Sequence, residues 1–168
     1  MDEARNVSED IQCNPWIEIP KSLLEWRAGF GSRPRKSNLP SEFTNGCGVY
    51  LLAECPVEKD YSGQGVVLTT DPIIYVGKAG LQTFFERWTN THTAWERLGE
   101  RYKAANGAMR FFCSVATVRR MEIRLRVWSE EMRLTTDAVY IEALEQATRN
   151  VLKRHNAYFR NHNLDGSK

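Results

Sequence analysis

The hydrophobic pattern of this chain changes period at Gly77, and that change constrains the fold more than any other sequence feature. Before Gly77, residues 48–52 and 72–76 are β-branched, aromatic and apolar, which predicts two strands. Residues 56–70 between them are rich in charge and glycine and predict a long connection, with room for a small strand at 66–68. The pattern predicts a hairpin followed by helix. The apolar residues that recur at helical spacing, in two successive runs, are Leu81, Phe84, Phe85, Trp88, Trp95, Leu98 and Tyr102.

The second half of the chain predicts one further strand and one long helix. An Asn-Gly pair at residues 106–107 ends the helical pattern, and residues 109–116 predict a third strand. Apolar and charged residues alternate over residues 121–127, which favours another strand, although a helix is compatible with the same residues. Apolar residues at helical spacing behind Asp137 predict a final helix to about His155.

The length of 168 residues is typical of one domain. We expect one main domain over residues 39–168 and an N-terminal extension over residues 1–38. Within the extension, polar residues 1–15 predict a loose leader and residues 21–28 a short amphipathic helix. Apolar runs are too short for a membrane span, and the amino end lacks the layout of a signal peptide. We therefore expect no membrane partner and a cytoplasmic, nucleoid or nuclear location.

The four cysteines are spread along the chain without a C-x-x-C pair. That spacing indicates neither a zinc ribbon nor a dense disulfide scaffold. Reduced thiols are expected at all four positions, namely Cys13, Cys47, Cys55 and Cys113.

Basic residues are concentrated locally although the net charge is only +2. Between Arg101 and Arg126 there are seven basic residues and a single acid, Glu122. Residues 33–36 contain three more basic side chains. Such stretches are compatible with an ordinary solvated surface and with a surface that binds phosphates.

Two three-residue motifs lie on the first two predicted strands: Gly48-Val49-Tyr50 and Tyr75-Val76-Gly77. Either motif alone is weak, because a strand tyrosine is most often a packing residue. Together with the order of elements that follows, residues 39–161 resemble the GIY-YIG endonuclease family. The resemblance implies an α+β fold, with a small antiparallel sheet of about three strands flanked by helices. It also implies phosphodiester hydrolysis with one divalent metal ion.

Hydrolysis of a phosphodiester requires an activated water, neutralised charge on the phosphate, and a cation or acid at the leaving oxygen. By resemblance, Tyr50 is the general base or orients the water, assisted by Tyr75 or Lys78. The pKa of free tyrosine is about 10, so a base at neutral pH needs cations or metal to lower it. Arg87 matches the family's helix arginine, whose planar guanidinium suits a phosphate, with a solvent-facing arginine as the alternative. His92 contacts the leaving phosphate or protonates the 3′ oxygen, with a histidine that caps or packs as the alternative.

The metal ligand has two candidates on the final helix, Glu142 and Glu145. On a helical wheel Glu145 lies nearer the apolar face, which a ligand must border in order to reach the sheet. Glu145 is therefore preferred to Glu142, with two ordinary surface acids as the alternative. One carboxylate and several waters are typical of Mg²⁺, so we expect one Mg²⁺ or Mn²⁺ ion.

The expected partner is DNA, double-stranded or branched, and a homodimer that cuts both strands is left open. Phosphate contacts dominate the affinity of such complexes, which makes the basic residues candidate contacts. Asn156, which lies near the spacing of the family's terminal asparagine, would tether the end of the helix or a phosphate. The candidate basic contacts are Arg33, Arg35, Lys36, Arg119, Arg120, Arg124 and Arg126.

Three functions are compatible with these residues. The first is a stand-alone Mg²⁺-dependent DNA endonuclease of the restriction type, or one from a phage or mobile element. The second is a nucleic-acid-binding module that has the fold without turnover, a reading favoured by the long connection before Tyr75 and by the late position of Arg87. The third is a structural scaffold, which predicts no salt-dependent binding of nucleic acid.

Overall fold

A single antiparallel sheet organises the chain. The computed structural model describes residues 12–41, 48–79, 83–89, 93–117 and 130–165. Its strands are β1 (Gln12–Cys13), β2 (Ile17–Glu18), β3 (Gly48–Pro56), β4 (Ile73–Ala79) and β5 (Met109–Thr117). Its α-helices are α1 (Lys21–Arg27), α2 (Phe84–Thr89), α3 (Thr93–Ala105), α4 (Glu130–His155) and α5 (Ala157–His162), with a short 3₁₀ helix over Lys36–Asn38.

Strand β3 lies at the centre of the sheet, because its residues are apolar enough to be buried on both faces. It pairs with β4 on one side and with β5 on the other, and β1 and β2 pair with different parts of the outer side of β5. Every residue from Gly48 to Cys55 is buried. A fully covered strand of this kind has a continuous apolar run rather than strict alternation.

The expected α+β class with an antiparallel sheet is confirmed, and the three predicted long strands are its core. Two short strands, β1 and β2, were not expected. The loose leader predicted over residues 1–15 was wrong for Gln12 and Cys13, which pair with Thr117 and Ala116. Their polar or small side chains give no strand pattern of their own, so only the pairing with β5 defines them.

Helices cover both faces of the sheet, because alternate residues of β3 point to opposite sides. Tyr50 and Leu52 pack in one hydrophobic cluster with residues of α1, α2 and α3. Val49 and Leu51 pack in a second cluster with residues of α4 and α5, such as Leu152. The active-site candidates of β3 and β4 are thus enclosed between two helical layers.

Three details of the predicted elements differ from the structure. No strand forms at residues 66–68, since the backbone N–H of Val67 donates to Asp71 Oδ2 at 2.8 Å and the segment turns there. The last helix begins at Glu130 rather than near Asp137. The predicted helix after Gly77 consists of α2 and α3 within the described residues. The strand predicted over 121–127 lies outside the described residues.

Strand β4 is the edge of the sheet, and later parts of the chain cover its outward carbonyls. The backbone N–H of Leu164 donates to Ile74 O at 2.8 Å. Arg149 Nη2 donates to Val76 O at 2.9 Å. An edge strand whose polar backbone groups are satisfied in this way is protected from pairing with another chain. None of the described helices combines the length and apolar character of a membrane span.

Candidate active site

The two motif tyrosines meet over a glycine. Tyr50 on β3 pairs with Gly77 on β4, and the ring of Tyr75 lies 5.9 Å from the ring of Tyr50, centroid to centroid. A Cβ placed on Gly77 would lie 2.5 Å from the Tyr50 hydroxyl and 2.6 Å from Cε2 of Tyr75. Only a residue without a side chain allows both rings to cover this point of β4.

Tyr50 is enclosed by an aromatic cluster that comprises Tyr50, Tyr75, Phe84, Trp88 and Trp95. Its ring centroid lies 5.5 Å from that of Trp88 and 6.1 Å from that of Trp95. Trp95 Nε1 donates a hydrogen bond of 3.1 Å to the Tyr50 hydroxyl. Tyr50 is 0% exposed, whereas Tyr75 remains 6% exposed at the border of the cluster. Tyr75 is therefore the tyrosine nearer to any ligand that approaches from solvent.

Burial raises the pKa of Tyr50 well above its ordinary value, and Tyr75 raises it further. A hydrogen bond to its oxygen and the charge of Arg87 act in the opposite direction without offsetting burial. The pKa of Tyr75 is raised as well, first by burial and then by the carboxylates of Asp165 and Glu145. Both hydroxyls are thus protonated at neutral pH in this arrangement, and each can donate a hydrogen bond.

Helix α2 brings Arg87 to these tyrosines. Burial is the larger influence and raises the pKa of Tyr50, Tyr75 and Glu145, but the charge of Arg87 acts to lower the pKa of all three. The Nε of Arg87 is buried, and the side chain has no hydrogen bond or ion pair within the described part of the chain. A guanidinium that is half enclosed and unpaired is suited to an anionic ligand.

Opposite charges around Tyr75 form three ion pairs, two of which share Arg149. Lys78 Nζ lies 3.3 Å from Glu142 Oε1. Arg149 Nη1 lies 3.3 Å from Asp165 Oδ2, and its Nη2 lies 3.6 Å from Glu145 Oε1. Arg87 has no ion pair among the described residues, and the contact of Glu145 with Arg149 is the longest of these ion-pair contacts. We refer to the following residues as the charged cluster: Lys78, Arg87, Glu142, Glu145, Arg149 and Asp165.

The two candidate metal ligands on α4 have different surroundings. The side chain of Glu145 is 15% exposed and its charge raises the pKa of Tyr75, whereas that of Glu142 is 68% exposed and pairs with Lys78. Burial raises the pKa of Glu145, and the charges of Arg149 and Lys78 counteract that effect. Of these two members of the charged cluster, Glu145 is the more buried and the one whose charge acts on Tyr75.

A single hydrated cation fits the donor set at Glu145. No metal-binding group of three or more acidic, histidine or cysteine side chains is found among the described residues. In the same part of the chain, Glu145 Oε2 has no partner. One protein carboxylate with waters in the remaining positions is the usual coordination of Mg²⁺, whereas structural zinc needs four protein ligands.

Asn156 is a structural residue that joins α4, α5 and the connection before β4. Its Oδ1 accepts from the Phe159 N–H at 2.9 Å, which caps α5. Its Nδ2 donates to Leu68 O at 2.7 Å and to Asp71 O at 2.9 Å. The side chain is 1% exposed, so that it tethers the helix end rather than a phosphate. Its place among the nucleic-acid contacts is corrected accordingly.

Of the basic residues before β3, Arg33 lies beside α2. Arg33 Nη2 donates to Thr89 Oγ1 at 2.9 Å, and its guanidinium lies 5.9 Å from the ring centroid of Phe85. Arg35 and Lys36 are exposed. Arg33 therefore contacts the same helix, α2, on which Arg87 lies. The remaining candidates lie outside the described residues; they are His92, Arg119, Arg120, Arg124 and Arg126.

Two members of the charged cluster were not identified from the sequence. Arg149 lies four residues after Glu145, and pairing at that helical spacing is a signal that could have identified it. Asp165 follows α5 and carries no such signal, because its contact with Arg149 depends on the path of the chain after the helix.

Comparison with models of protein families, with curated proteins and with solved structures gives no match for this chain. Function is therefore inferred from the motifs and from the geometry around Tyr75.

Proposed function

We propose that this chain is an endonuclease of the GIY-YIG type that hydrolyses phosphodiester bonds in DNA with one Mg²⁺ or Mn²⁺ ion. The observation that carries the proposal is the charge pattern around Tyr75. Arg87 has no ion pair among the described residues and suits a phosphate, whereas Glu145 keeps its Oε2 without a partner in the same residues and suits a cation. Phosphodiester hydrolysis requires both, because charge develops on the phosphate while a water attacks it.

Arg87 binds the scissile phosphate in this proposal. Its guanidinium can donate two parallel hydrogen bonds to phosphate oxygens, and its buried Nε has no competing acceptor among the described residues. Glu145 holds the metal ion, which when bound supplies Lewis-acid stabilisation and a more acidic water. Lys78 is held by Glu142 at the same edge of β4, where it adds positive charge for the substrate.

The tyrosines orient rather than deprotonate the attacking water. The raised pKa values of Tyr50 and Tyr75 favour orientation of the water over general-base catalysis, because a hydroxyl with a raised pKa is a poor base at neutral pH. Tyr75 borders the charged cluster and contacts the water. Tyr50, which is fully enclosed, positions the Tyr75 ring.

A supercoiled-plasmid nicking assay with Mg²⁺ tests the proposal. Arg87→Ala and Glu145→Ala should each lower the nicking rate by about 100-fold or more, the usual cost of losing one group that stabilises a transition state. Glu86→Gln changes an exposed carboxylate next to Arg87 and serves as the control, with a rate close to that of the unmodified protein. Glu142→Gln tests the other candidate ligand. Undiminished nicking in both alanine variants would show that the site is wrong.

The second candidate is a nucleic-acid-binding module without turnover. Complete burial of the Tyr50 hydroxyl favours it, because that oxygen does not reach solvent in this arrangement. Such a module binds DNA with strong salt dependence but leaves the plasmid intact at every Mg²⁺ or Mn²⁺ concentration. Filter binding at two ionic strengths, run beside the nicking assay, separates it from the nuclease.

A further inference from the structure

Arg149 joins three parts of the fold around the proposed metal ligand. It extends from α4, donates through Nη2 to Val76 O at 2.9 Å, and approaches Glu145 Oε1 at 3.6 Å with the same nitrogen. Its Nη1 lies 3.3 Å from Asp165 Oδ2. The side chain is therefore shared between two carboxylates, and the contact with Asp165 is the shorter one.

A guanidinium next to a metal ligand opposes metal binding in two ways. It occupies carboxylate oxygens that the ion needs, and its positive charge repels the ion. The hydrogen bond from Arg149 to Val76 O holds the guanidinium beside Glu145. A second carboxylate that pairs with Arg149 reduces both effects.

Backbone hydrogen bonds of the preceding residue hold Asp165 where it can pair with Arg149. The preceding residue, Leu164, donates its N–H to Ile74 O at 2.8 Å and accepts from Arg97 Nη1 at 2.6 Å. These bonds fix the chain after α5 against the edge of β4. Because both the N–H and the carbonyl of Leu164 are hydrogen-bonded, the position of Asp165 next to Arg149 is fixed by the backbone.

We propose that Asp165 is a positioning residue for the Glu145 site: by pairing with Arg149 it keeps the Glu145 carboxylate available to a divalent cation. The inference rests on the proposed function, because it concerns the same metal site. Asp165 acts through Arg149 and does not itself bind the ion. Removal of Asp165 leaves Arg149 with Glu145 as its one remaining carboxylate in the charged cluster within salt-bridge distance.

Direct measurement of Mn²⁺ binding tests this role without relying on activity. The concentration of free Mn²⁺ is followed by its electron paramagnetic resonance signal at pH 8, for the unmodified protein and three variants. Asp165→Asn should weaken Mn²⁺ binding about three- to tenfold, and Arg149→Gln should strengthen it by a similar factor, as expected for one unit charge near a partly exposed site. The double variant should bind Mn²⁺ about as tightly as Arg149→Gln, because without the guanidinium Asp165 has nothing to pair with and its loss has no further effect.

The opposite signs exclude a merely structural role, which would weaken binding in both single variants. Thermal unfolding without metal identifies any variant that fails to fold, and Arg149→Gln then still tests the predicted gain. A double variant that binds Mn²⁺ no more tightly than the unmodified protein would overturn the inference, since Asp165 would then act on the ion independently of Arg149. Equal Mn²⁺ affinity in Asp165→Asn and the unmodified protein would overturn it while leaving the nuclease proposal intact. Absence of Mn²⁺ binding by the unmodified protein would overturn both.

Discussion

Gly77 lies opposite Tyr50 across the ladder between β3 and β4, and the Tyr50 ring covers it so closely that a Cβ would lie 2.5 Å from the ring's Cζ and hydroxyl oxygen. The position of the hydroxyl is thus set by the absence of a side chain on the neighbouring strand. Any larger residue must displace the ring or separate the strands.

Gly77→Ala should destabilise the fold and disturb the tyrosine pair. Overpacking of a tight core position costs about 1–3 kcal/mol of the free energy of unfolding, measured by urea denaturation. The matched control is Gly65→Ala, where a Cβ meets nothing within 4 Å, so a change of about 0.5 kcal/mol or less is expected. Equal stability of the two variants would show that the strands separate easily at Gly77.

Tyr50→Phe should reveal the hydrogen bond inside the aromatic cluster. The change leaves the buried indole N–H of Trp95 without its acceptor, which costs about 1–3 kcal/mol. A double-mutant cycle with Trp95→Phe isolates the pair, with a coupling energy of about 0.5–1.5 kcal/mol in urea denaturation. A coupling energy of zero would mean that the two groups do not interact in solution.

Glu54 should make the fold less stable as pH rises through the range in which it ionises. The carboxylate is buried and pairs with Arg101 Nε at 2.7 Å; burial raises its pKa above the ordinary 4.5, and Arg101 partly reverses the shift. The folded protein therefore holds this proton more tightly than the unfolded chain does. The contribution of Glu54 to stability is greatest below pH 4.5 and is lost as pH rises through the folded pKa.

Glu54→Gln removes that dependence, because the amide does not titrate. Urea denaturation between pH 4 and pH 7 should show the difference in free energy of unfolding moving in favour of the variant as pH rises. A difference that moves in favour of the unmodified protein would mean that pairing with Arg101 outweighs burial.

Asn156→Asp should destabilise the fold without altering nucleic-acid binding by the folded protein. The carboxylate retains the acceptor that caps α5, but it loses both donations to the carbonyls of Leu68 and Asp71. The expected cost is about 2–4 kcal/mol. Asn150→Asp, on the exposed side of α4, is the control and should cost about 0.5 kcal/mol or less. A changed salt dependence of DNA binding in Asn156→Asp would contradict this prediction and indicate that Asn156 contacts a phosphate.

Arg35→Ala combined with Lys36→Ala should weaken DNA binding uniformly across sequences. Each phosphate contact contributes about 0.9 to the slope of log affinity against log salt, so the slope should fall by up to about 2 in filter binding. Lys59→Ala combined with Lys153→Ala removes two exposed charges elsewhere and controls for net charge. Equal slopes for the two double variants would place the DNA on another surface.

Long apolar runs made the main strands predictable from the sequence. The cores of β3 and β4 are apolar over at least four residues and that of β5 over three, and burial of such runs outweighs other local preferences. β1 and β2 could not be predicted, because two-residue strands depend on their partner rather than on their own pattern. The turn at Val67 could not be predicted for a similar reason. It depends on a hydrogen bond to the Asp71 carboxylate, and a hydrophobic pattern does not indicate such a bond.

The candidate site was predictable to the extent that motifs and helical spacing define it. Tyr50, Tyr75 and Arg87 come together because the motifs lie on adjacent strands and the next helix packs over them. The enclosure of Tyr50 was not predictable, since it depends on where Trp88 and Trp95 pack in three dimensions. Asn156 had two readings from the sequence, and only its hydrogen bonds distinguish them.

The central position of β3 has a consequence for how quickly the chain can refold. Its partners on β5 are more than 50 residues away, from Met109 opposite Pro56 to Thr117 opposite Gly48. A large loop must close, at a cost in chain entropy, before β3 and β5 can pair. Folding should therefore take milliseconds to seconds rather than microseconds. Until β5 arrives, both edges of a nascent β3–β4 hairpin stay open to foreign strands, and a chaperone or low protein concentration should raise the yield of native molecules.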